Sequence, residues 1–332
     1  MCTRGMMPLE GQRCAAALSG SMARKAASTY ACSCIPLGEA PVRSDLSAAL
    51  GTNRTAWFVG DSTSFGTYFE AVCRVENRTS ATASWRRLSF QSSCRLPCTR
   101  SHRVPMCARI SLSNGFSQQL CYVPEHEQPE RALTRLMDVG LVTPNDVVLI
   151  NTGANQMGGD EPMMLRGVQG LVDLLRRRAG KTPHVYWRET YAQHFPEYAL
   201  NTKSVGLRPF DGSFNLRASK QGAYRNTSCV TQSPPPEKPR VLQRVEEIIR
   251  EAAFNTSRLH WIGAWEMTLE RASSHKCTAS EHVQSCSLAV DCTHYCLHSG
   301  VDDLVLNDLT AALQRHTQTS SSTRMANARN SR

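Results

Sequence analysis

A serine, a histidine and an aspartate in this sequence stand in contexts that suit nucleophilic catalysis. Ser62 closes a Gly-Asp-Ser segment directly after the apolar run 56–59, so it is predicted to begin a helix. The free backbone N–H groups and the positive dipole end at a helix start would stabilise an alkoxide on such a serine. Ser62 is also suited to a purely structural role as the N-cap of that helix.

The other two residues lie near the end of the chain. Asp291 and His294 are separated by two residues, a spacing that lets the carboxylate reach Nδ1 of the imidazole while Nε2 faces a serine. An aspartate and a histidine at this spacing are common, and most such pairs are structural. A triad of Ser62, His294 and Asp291 is therefore a hypothesis that requires the fold to bring distant segments together.

A third polar segment follows the apolar run 146–150. Gly153 and Asn155 lie just after this run, and a backbone N–H together with a side-chain amide can hold the oxyanion of a tetrahedral intermediate. The predicted oxyanion donors are therefore the Ser62 and Gly153 backbone N–H groups and the Asn155 side chain.

These residues are distributed over alternating apolar runs and helical patterns. Short continuous apolar strands that alternate with helices predict a parallel sheet covered on both faces. Ligands bind at the carboxyl ends of such strands, where Arg188 would bind an acidic group of the substrate or pair with a neighbouring carboxylate. The predicted strands are 56–59, 146–150, 184–187 and 260–262, and the predicted helices are 63–74, 163–178, 239–253 and 301–313.

The expected fold class is α/β, a three-layer α/β/α sandwich with a central, mostly parallel sheet that carries cysteine-rich insertions. Residues 28–314 are expected to form a single domain, with residues 1–27 and the basic residues 315–332 as disordered tails. Two stretches without the strand-helix alternation, 76–131 and 196–239, are interpreted as insertions into that domain.

Composition and charge limit the classes of protein to which the chain can belong. At 332 residues, with 41% hydrophobic and 20% charged residues, the chain is typical of a globular protein. The net charge of +10 lies mostly in the two terminal segments, so nucleic acid is not an expected partner. No run approaches the about 18 apolar residues of a membrane-spanning helix, and the N-terminal region lacks an apolar signal segment. Membrane association is therefore expected only if the N-terminus is incomplete.

Fourteen cysteines require either metal binding or oxidation. A zinc site would use Cys94 with Cys98, or Cys292 with His294 and Cys296, but the paired CxxC segments of structural zinc sites are absent from the sequence. We therefore expect disulfides and no metal, in a compartment of the secretory pathway. Four N-glycosylation sequons favour the same compartment; they begin at Asn53, Asn77, Asn226 and Asn255.

The order and spacing of the polar segments resemble the SGNH/GDSL hydrolase-like superfamily. The flanking residues are similar to the PC-esterase family, which includes the plant trichome birefringence-like polysaccharide O-acetyltransferases. The resemblance covers residues 55–314 discontinuously and is most specific at Asp291-Cys-Thr-His-Tyr-Cys-Leu297. It is also carried by Trp57-Phe-Val-Gly-Asp-Ser62, Leu149-Ile-Asn-Thr-Gly153 and Tyr186-Trp-Arg-Glu-Thr-Tyr-Ala-Gln-His-Phe195.

The resemblance implies an SGNH-hydrolase-like fold and a role for each triad residue. Ser62 would be the acyl-accepting nucleophile, His294 the general base and then acid, and Asp291 the carboxylate that orients it. A disulfide between Cys229 and Cys292 is implied as well. The implied reaction is transfer of an acetyl group to hydroxyls of a polysaccharide or glycan, with an acetyl donor as co-substrate and no bound cofactor, in the Golgi lumen or outside the cell.

Three segments depart from the family pattern. One of them is His298-Ser-Gly-Val-Asp-Asp303, which replaces Pro-Gly-Val-Pro-Asp after the catalytic histidine and leaves the turn into the last helix unpredicted. Thr63-Ser-Phe-Gly66 replaces an Arg-Asn-Gln segment, and Ala154-Asn-Gln156 replaces His-Trp-Trp, so the sequence does not predict the acceptor groove. Two other functions are retained as alternatives. One is a carbohydrate O-acetylesterase that uses the same triad, and the other is a glycan-binding protein that keeps the fold without catalysis.

Overall fold

A computed structural model of the chain describes residues 44–52, 54–79, 83–87, 105–111, 117–125, 128–153, 161–195, 229–231, 237–275, 292–295 and 299–330. For residues 76–79, 83–87, 273 and 317–330 it describes the backbone only.

One mixed β-sheet is the centre of the fold. Its strands are β1 (Thr55–Gly60), β2 (Ala83–Arg87), β3 (Met106–Ser111), β4 (Ser117–Pro124), β5 (Val147–Ile150), β6 (His184–Arg188) and β7 (Leu259–Ile262). They are ordered β2-β3-β4-β1-β5-β6-β7. The five strands from β4 to β7 in this order are parallel, whereas β3 is antiparallel to both of its neighbours.

Helices cover both faces of this sheet. The described α-helices are α1 (Leu46–Leu50), α2 (Ser62–Thr79), α3 (Pro129–Asp138), α4 (Glu161–Arg177), α5 (Arg240–Phe254), α6 (Trp265–Thr268) and α7 (Val301–Asn330). Helices α3, α4 and α5 bury apolar side chains in one core cluster, and α1, α2 and α7 do so in the other. The predicted three-layer α/β/α sandwich with a mostly parallel sheet is confirmed.

The apolar runs of the sequence are strands buried on both faces. In β1, Trp57 and Val59 contribute to the cluster with α3, α4 and α5, whereas Ala56 and Phe58 contribute to the opposite cluster. Successive side chains of a strand point to opposite faces, so a strand between two helical layers must be apolar at every position. All four predicted strands and all four predicted helices are present.

The last helix is much longer than predicted. Helix α7 continues to Asn330, so residues 315–330 are helical where a disordered tail was expected. No glycine or proline, the residues that most strongly end a helix, occurs in residues 301–330. The other predicted tail, residues 1–27, lies outside the described residues. No described helix combines the length and the apolar character needed to cross a membrane.

The segment 76–131 contributes to the sheet itself. It provides β2, β3 and β4, and β4 pairs directly with β1. A disulfide joins Cys107 of β3 to Cys121 of β4, which are register partners. The sequence pattern carries no information on which strand of the sheet this segment joins. The other predicted insertion, 196–239, falls largely outside the described residues.

Buried polar contacts fix the first two turns of α7 against α2. Arg74 forms an ion pair with Asp303 at 3.1 Å, and both side chains are almost completely buried. Arg74 also donates a 2.6 Å hydrogen bond to Asn307 Oδ1, and Thr67 donates one of 2.6 Å to Asp302. The start of α7 is therefore fixed against α2, a few residues after the loop that carries His294.

Substitution of Asp303 by alanine is expected to lower the free energy of unfolding by about 3 to 5 kcal/mol, because it removes the carboxylate that pairs with the buried Arg74 cation. The double variant Arg74→Met/Asp303→Leu should recover most of that loss. The matched control is Asp138→Ala, since Asp138 pairs with Arg178 at 2.8 Å on the surface and its removal should cost less than about 1 kcal/mol. Equal losses for Asp303→Ala and Asp138→Ala in urea denaturation would contradict the prediction.

Candidate active site

The site lies where two neighbouring parallel strands send their connections to opposite faces of the sheet. Strand β1 is followed by α2 on one face, and β5 pairs with β1 but leads to α4 on the other face. Such a divergence opens a crevice at the carboxyl ends of the strands. Ser62 follows β1 and Gly153 follows β5, so both lie at this edge.

Ser62 is the first residue of α2, but another residue caps the helix. Asp61 Oδ1 accepts hydrogen bonds from the Thr63 backbone N–H at 2.9 Å and from Thr63 Oγ1 at 2.6 Å. Asp61 is buried, whereas Ser62 is partly exposed. Because Asp61 makes the capping bonds, the Ser62 hydroxyl is available for a different contact.

The turn between β1 and α2 requires a glycine. A Cβ atom on Gly60 would collide with the Ser64 side chain and with the backbone carbonyl of Asn151. Tyr122 donates hydrogen bonds from its hydroxyl to the carbonyls of Gly60 and Asp61, at 3.2 and 3.0 Å. The close approach of α2 to the end of β5, which brings Ser62 to the crevice, depends on the missing side chain.

Ser62 and His294 are in direct contact. The distance from Ser62 Oγ to His294 Nε2 is 2.6 Å, although the residues are 232 positions apart in sequence. With Nδ1 carrying the ring proton, Nε2 accepts the hydroxyl proton of Ser62, as general-base catalysis requires. Both side chains are partly exposed, so the contact is accessible from solvent. The predicted meeting of these two residues is confirmed.

A disulfide and backbone hydrogen bonds hold the segment before His294. Cys292 is bonded to Cys229, with a Cα separation of 5.4 Å, which confirms the disulfide implied by the family resemblance. The backbone N–H of His194 donates to the Cys292 carbonyl at 3.2 Å, and that of Val230 donates to the His194 carbonyl at 3.0 Å. The chain thus approaches His294 along a path fixed by two other segments.

Behind this segment lies a buried pair of histidines that sequence reasoning did not single out. His194 donates from Nε2 to the Leu269 carbonyl at 2.7 Å, and its Nδ1 lies 2.7 Å from His275 Nε2. The His275 ring stacks on Tyr295, the residue next to His294. Burial lowers the pKa of His194, although the bond to Leu269 opposes this effect. Only the family-like segment that ends at Phe195 signalled that His194 lies near the site.

Removal of the disulfide by Cys229→Ala/Cys292→Ala is expected to lower the free energy of unfolding by about 2 to 4 kcal/mol and to reduce turnover at temperatures where the variant is still folded. The control is Cys107→Ala/Cys121→Ala, which removes the bridge between β3 and β4 and should lower stability without the loss of turnover. Equal turnover of the two folded variants with an activated ester would show that the disulfide between Cys229 and Cys292 does not position His294.

Arg188, predicted to bind substrate, is instead completely buried. Its Nη2 donates to Thr63 Oγ1 at 2.6 Å, and the guanidinium lies 4.2 Å from the centre of the Tyr191 ring. Burial raises the pKa of Asp302, and the positive charge of Arg188 opposes this rise. The substrate-binding prediction is wrong because the start of α2 and Tyr191 cover the end of β6. Arg188 supports the Thr63 and Asp61 contacts beneath Ser62.

Gly153 occupies a position that excludes a side chain. Its φ is +127°, and a Cβ atom would lie 2.5 Å from Thr190 Oγ1 and 2.8 Å from Met164 Cε. Thr190 also donates a 2.8 Å hydrogen bond to the Thr152 carbonyl. The segment after β5 is therefore held closely against the segment after β6.

The remaining predicted site residues are not described. Asp291 and Asn155 lie outside the described residues. The orientation of His294 by Asp291, and the oxyanion donors at Ser62, Gly153 and Asn155, stay predictions.

No protein-family model and no curated protein sequence matches the chain. Among solved structures, the chain is similar to a proposed acylhydrolase from Bacteroides fragilis, with a TM-score of 0.37 and 10% identity over 84% of this chain and 99% of that one. It is also similar to a peptidoglycan O-acetylesterase, with a TM-score of 0.39 and 9% identity over 82% and 95% of the two chains. Similarity at this level does not assign a function, so the proposal below depends on the residues of the site.

Proposed function

We propose that this protein is an acyl-transfer enzyme that forms an ester on Ser62. The observation that carries the proposal is the 2.6 Å contact between Ser62 Oγ and His294 Nε2 at the carboxyl edge of the parallel strands. A serine hydroxyl is a weak nucleophile, and a hydrogen-bonded imidazole activates it by accepting its proton. The capping bonds made by Asp61 leave the hydroxyl of Ser62 at the positive end of an 18-residue helix, which favours developing negative charge.

The proposed reaction has two steps. In the first, Ser62 Oγ attacks the acyl carbon of the donor while its proton moves to His294 Nε2, and the leaving group then takes that proton. In the second, an acceptor hydroxyl gives its proton to His294 and attacks the acyl carbon, so that the acceptor ester forms and the Ser62 hydroxyl is restored. Asp291 would hold the imidazole in the required tautomer and stabilise the imidazolium.

We assign acetyl as the acyl group and a hydroxyl of a polysaccharide or glycan as the acceptor. This finer assignment depends on the resemblance to the PC-esterase family, above all at residues 291–297. The disulfide that joins Cys229 to Cys292 lies where the resemblance implies one. The protein is then an O-acetyltransferase of glycans, with an acetyl donor as co-substrate.

Hydrolysis by the same residues is the second candidate. The side chains of Ser62 and His294 are partly exposed, so water can reach an acyl group on Ser62. Transfer requires that a sugar hydroxyl reaches this group before water does, which depends on how well the bound acceptor excludes water. A carbohydrate O-acetylesterase would use the same acyl-enzyme and release acetate.

The disulfides support a lumenal or extracellular location. Cys107 is bonded to Cys121 and Cys229 to Cys292, and Cys73 is also disulfide-bonded. Disulfides persist in oxidising compartments and are rare in the cytosol. We propose that the protein works in the secretory pathway or outside the cell.

Intact-protein mass spectrometry after incubation with p-nitrophenyl acetate tests the proposal. We expect one acetyl adduct, which peptide mapping places on Ser62, and no adduct on the Ser62→Ala variant. An adduct confined to another residue, or none on the wild type, would overturn the acyl-serine proposal. Addition of oligosaccharides then separates the two candidates, because transfer produces acetylated sugar and hydrolysis produces acetate alone.

A further inference from the structure

Three histidines form a cluster at the edge of the sheet opposite to Ser62. They are His184 on β6, His260 on β7 and His316 on α7, and one ring nitrogen from each lies within 4.8 Å of the other two. The ring centres of His260 and His316 are 4.2 Å apart, and those of His184 and His316 are 5.2 Å apart. Their positions in the sequence follow no metal-binding spacing, which is why the sequence predicts no metal.

Strand pairing explains the placement of the cluster. His184 and Tyr186 lie on the same face of β6 because they are two residues apart, and His260 of β7 is the register partner of Tyr186. Helix α7 covers this face and contributes His316. The cluster is therefore built from three elements whose relative positions the fold determines.

The three rings are suited to bind a cation as neutral imidazoles. Burial is the main cause that lowers the pKa of His184 to about 4 and of His260 to about 3, and it also lowers the pKa of His316. At neutral pH the three rings therefore carry lone pairs in place of charges. His184 Nδ1 is buried without a hydrogen-bond partner, an unfavourable state that a metal ligand bond would relieve.

We propose that His184, His260 and His316 bind one divalent transition-metal ion of the zinc type. Three imidazole nitrogens with a solvent ligand in the fourth position form a tetrahedral zinc site. Such a site places the nitrogens about 3.4 Å apart, close to the 3.4 Å between His316 Nε2 and His260 Nδ1. One ring nitrogen of His184 lies within 4.8 Å of both other ligand nitrogens. The positive charges of Arg54, Arg258 and Arg315 oppose the added charge of the ion.

The metal would have a structural role. His184 and Arg188 are at opposite ends of β6, about 13 Å apart at the usual rise of a strand, and Arg188 contacts Thr63 beside Ser62. The ion would connect β6, β7 and α7 at the edge away from the crevice. It would thereby hold α7 against the sheet, and the first turn of α7 anchors α2 through Asp302 and Asp303.

Zinc binding by the full chain tests this proposal. We expect the EDTA-treated and dialysed wild type to take up one zinc ion per chain, measured by mass spectrometry of the metal after gel filtration, and to melt at a higher temperature as zinc is added. His184→Ala, His260→Ala and His316→Ala should each lose this ion and the zinc-dependent rise in Tm. The control His294→Ala should still bind one zinc, because its imidazole is at the other edge.

Two further readouts keep the test decisive. Circular dichroism without zinc shows whether each variant is folded, and His316→Ala is the variant to use if a strand variant unfolds. Cobalt(II) in place of zinc should give the visible absorption of a tetrahedral site in the wild type and in His294→Ala only. Absence of bound zinc in the wild type, or unchanged zinc content in folded His316→Ala, would overturn the proposal.

Discussion

Replacement of Ser62 by alanine is expected to lower turnover of an activated acetyl ester by about 10⁶-fold, to the level of residual binding effects. The physical reason is that the acyl-enzyme route has no other nucleophile once the hydroxyl beside His294 is removed. The measurement is the release of p-nitrophenol under single-turnover and steady-state conditions. Retention of wild-type activity by Ser62→Ala would show that serine catalysis is wrong.

Two companion variants make this result specific. Ser64→Ala changes a serine on the same turn of α2 that is buried and points toward Gly60, and it should keep most of the activity. The double variant Ser62→Ala/His294→Ala should be no slower than Ser62→Ala alone, because the two residues act as a unit. A further large loss in the double variant would mean that His294 acts independently of Ser62.

Substitution of Asp291 by asparagine is expected to lower turnover by about 10⁴-fold while the protein stays folded. The amide cannot hold the Nδ1–H tautomer of His294 or stabilise the imidazolium that forms when Ser62 gives up its proton. The measurement is kcat with the same ester, together with the thermal melting curve of the variant.

The matched control is Asp173→Asn on α4, where the carboxylate is partly exposed and its distance to Arg176 is 3.9 Å. This variant should retain wild-type kcat. If Asp291→Asn also retains it, a different group orients His294, and the two-residue spacing between Asp291 and His294 is structural.

Sequence patterns predicted the parts of the fold that depend only on residues close together in the sequence. The continuous apolar run 56–59 predicted a strand buried on both faces, and the Gly-Asp-Ser segment after it predicted the start of a helix. Both predictions use the periodicity of side chains along one segment, which does not depend on the rest of the chain. The predicted end of α7, at residue 313, was wrong. Local patterns did not predict the extension because a polar helical segment and a polar disordered segment differ little in composition.

The family resemblance also predicted which specific residues of distant segments act together or are bonded. It implied that Ser62 and His294 act together and that Cys229 is bonded to Cys292, and the structure confirms the 2.6 Å contact and the disulfide. Neither relationship follows from the local pattern at any one of these residues, because each joins segments that are far apart in the chain.

What the sequence by itself determined was therefore the type of each element, the fold class and the residues most suited to acyl transfer. Only the tertiary structure decided which side chains point into the crevice and which lie beneath it. Arg188 follows β6 as Ser62 follows β1, yet α2 and Tyr191 bury Arg188 while Ser62 reaches solvent. The histidine cluster likewise exists only because strand register and helix packing bring together three distant residues. Periodicity along a chain specifies the face on which a side chain lies, whereas the partner on that face is determined by the order and register of strands.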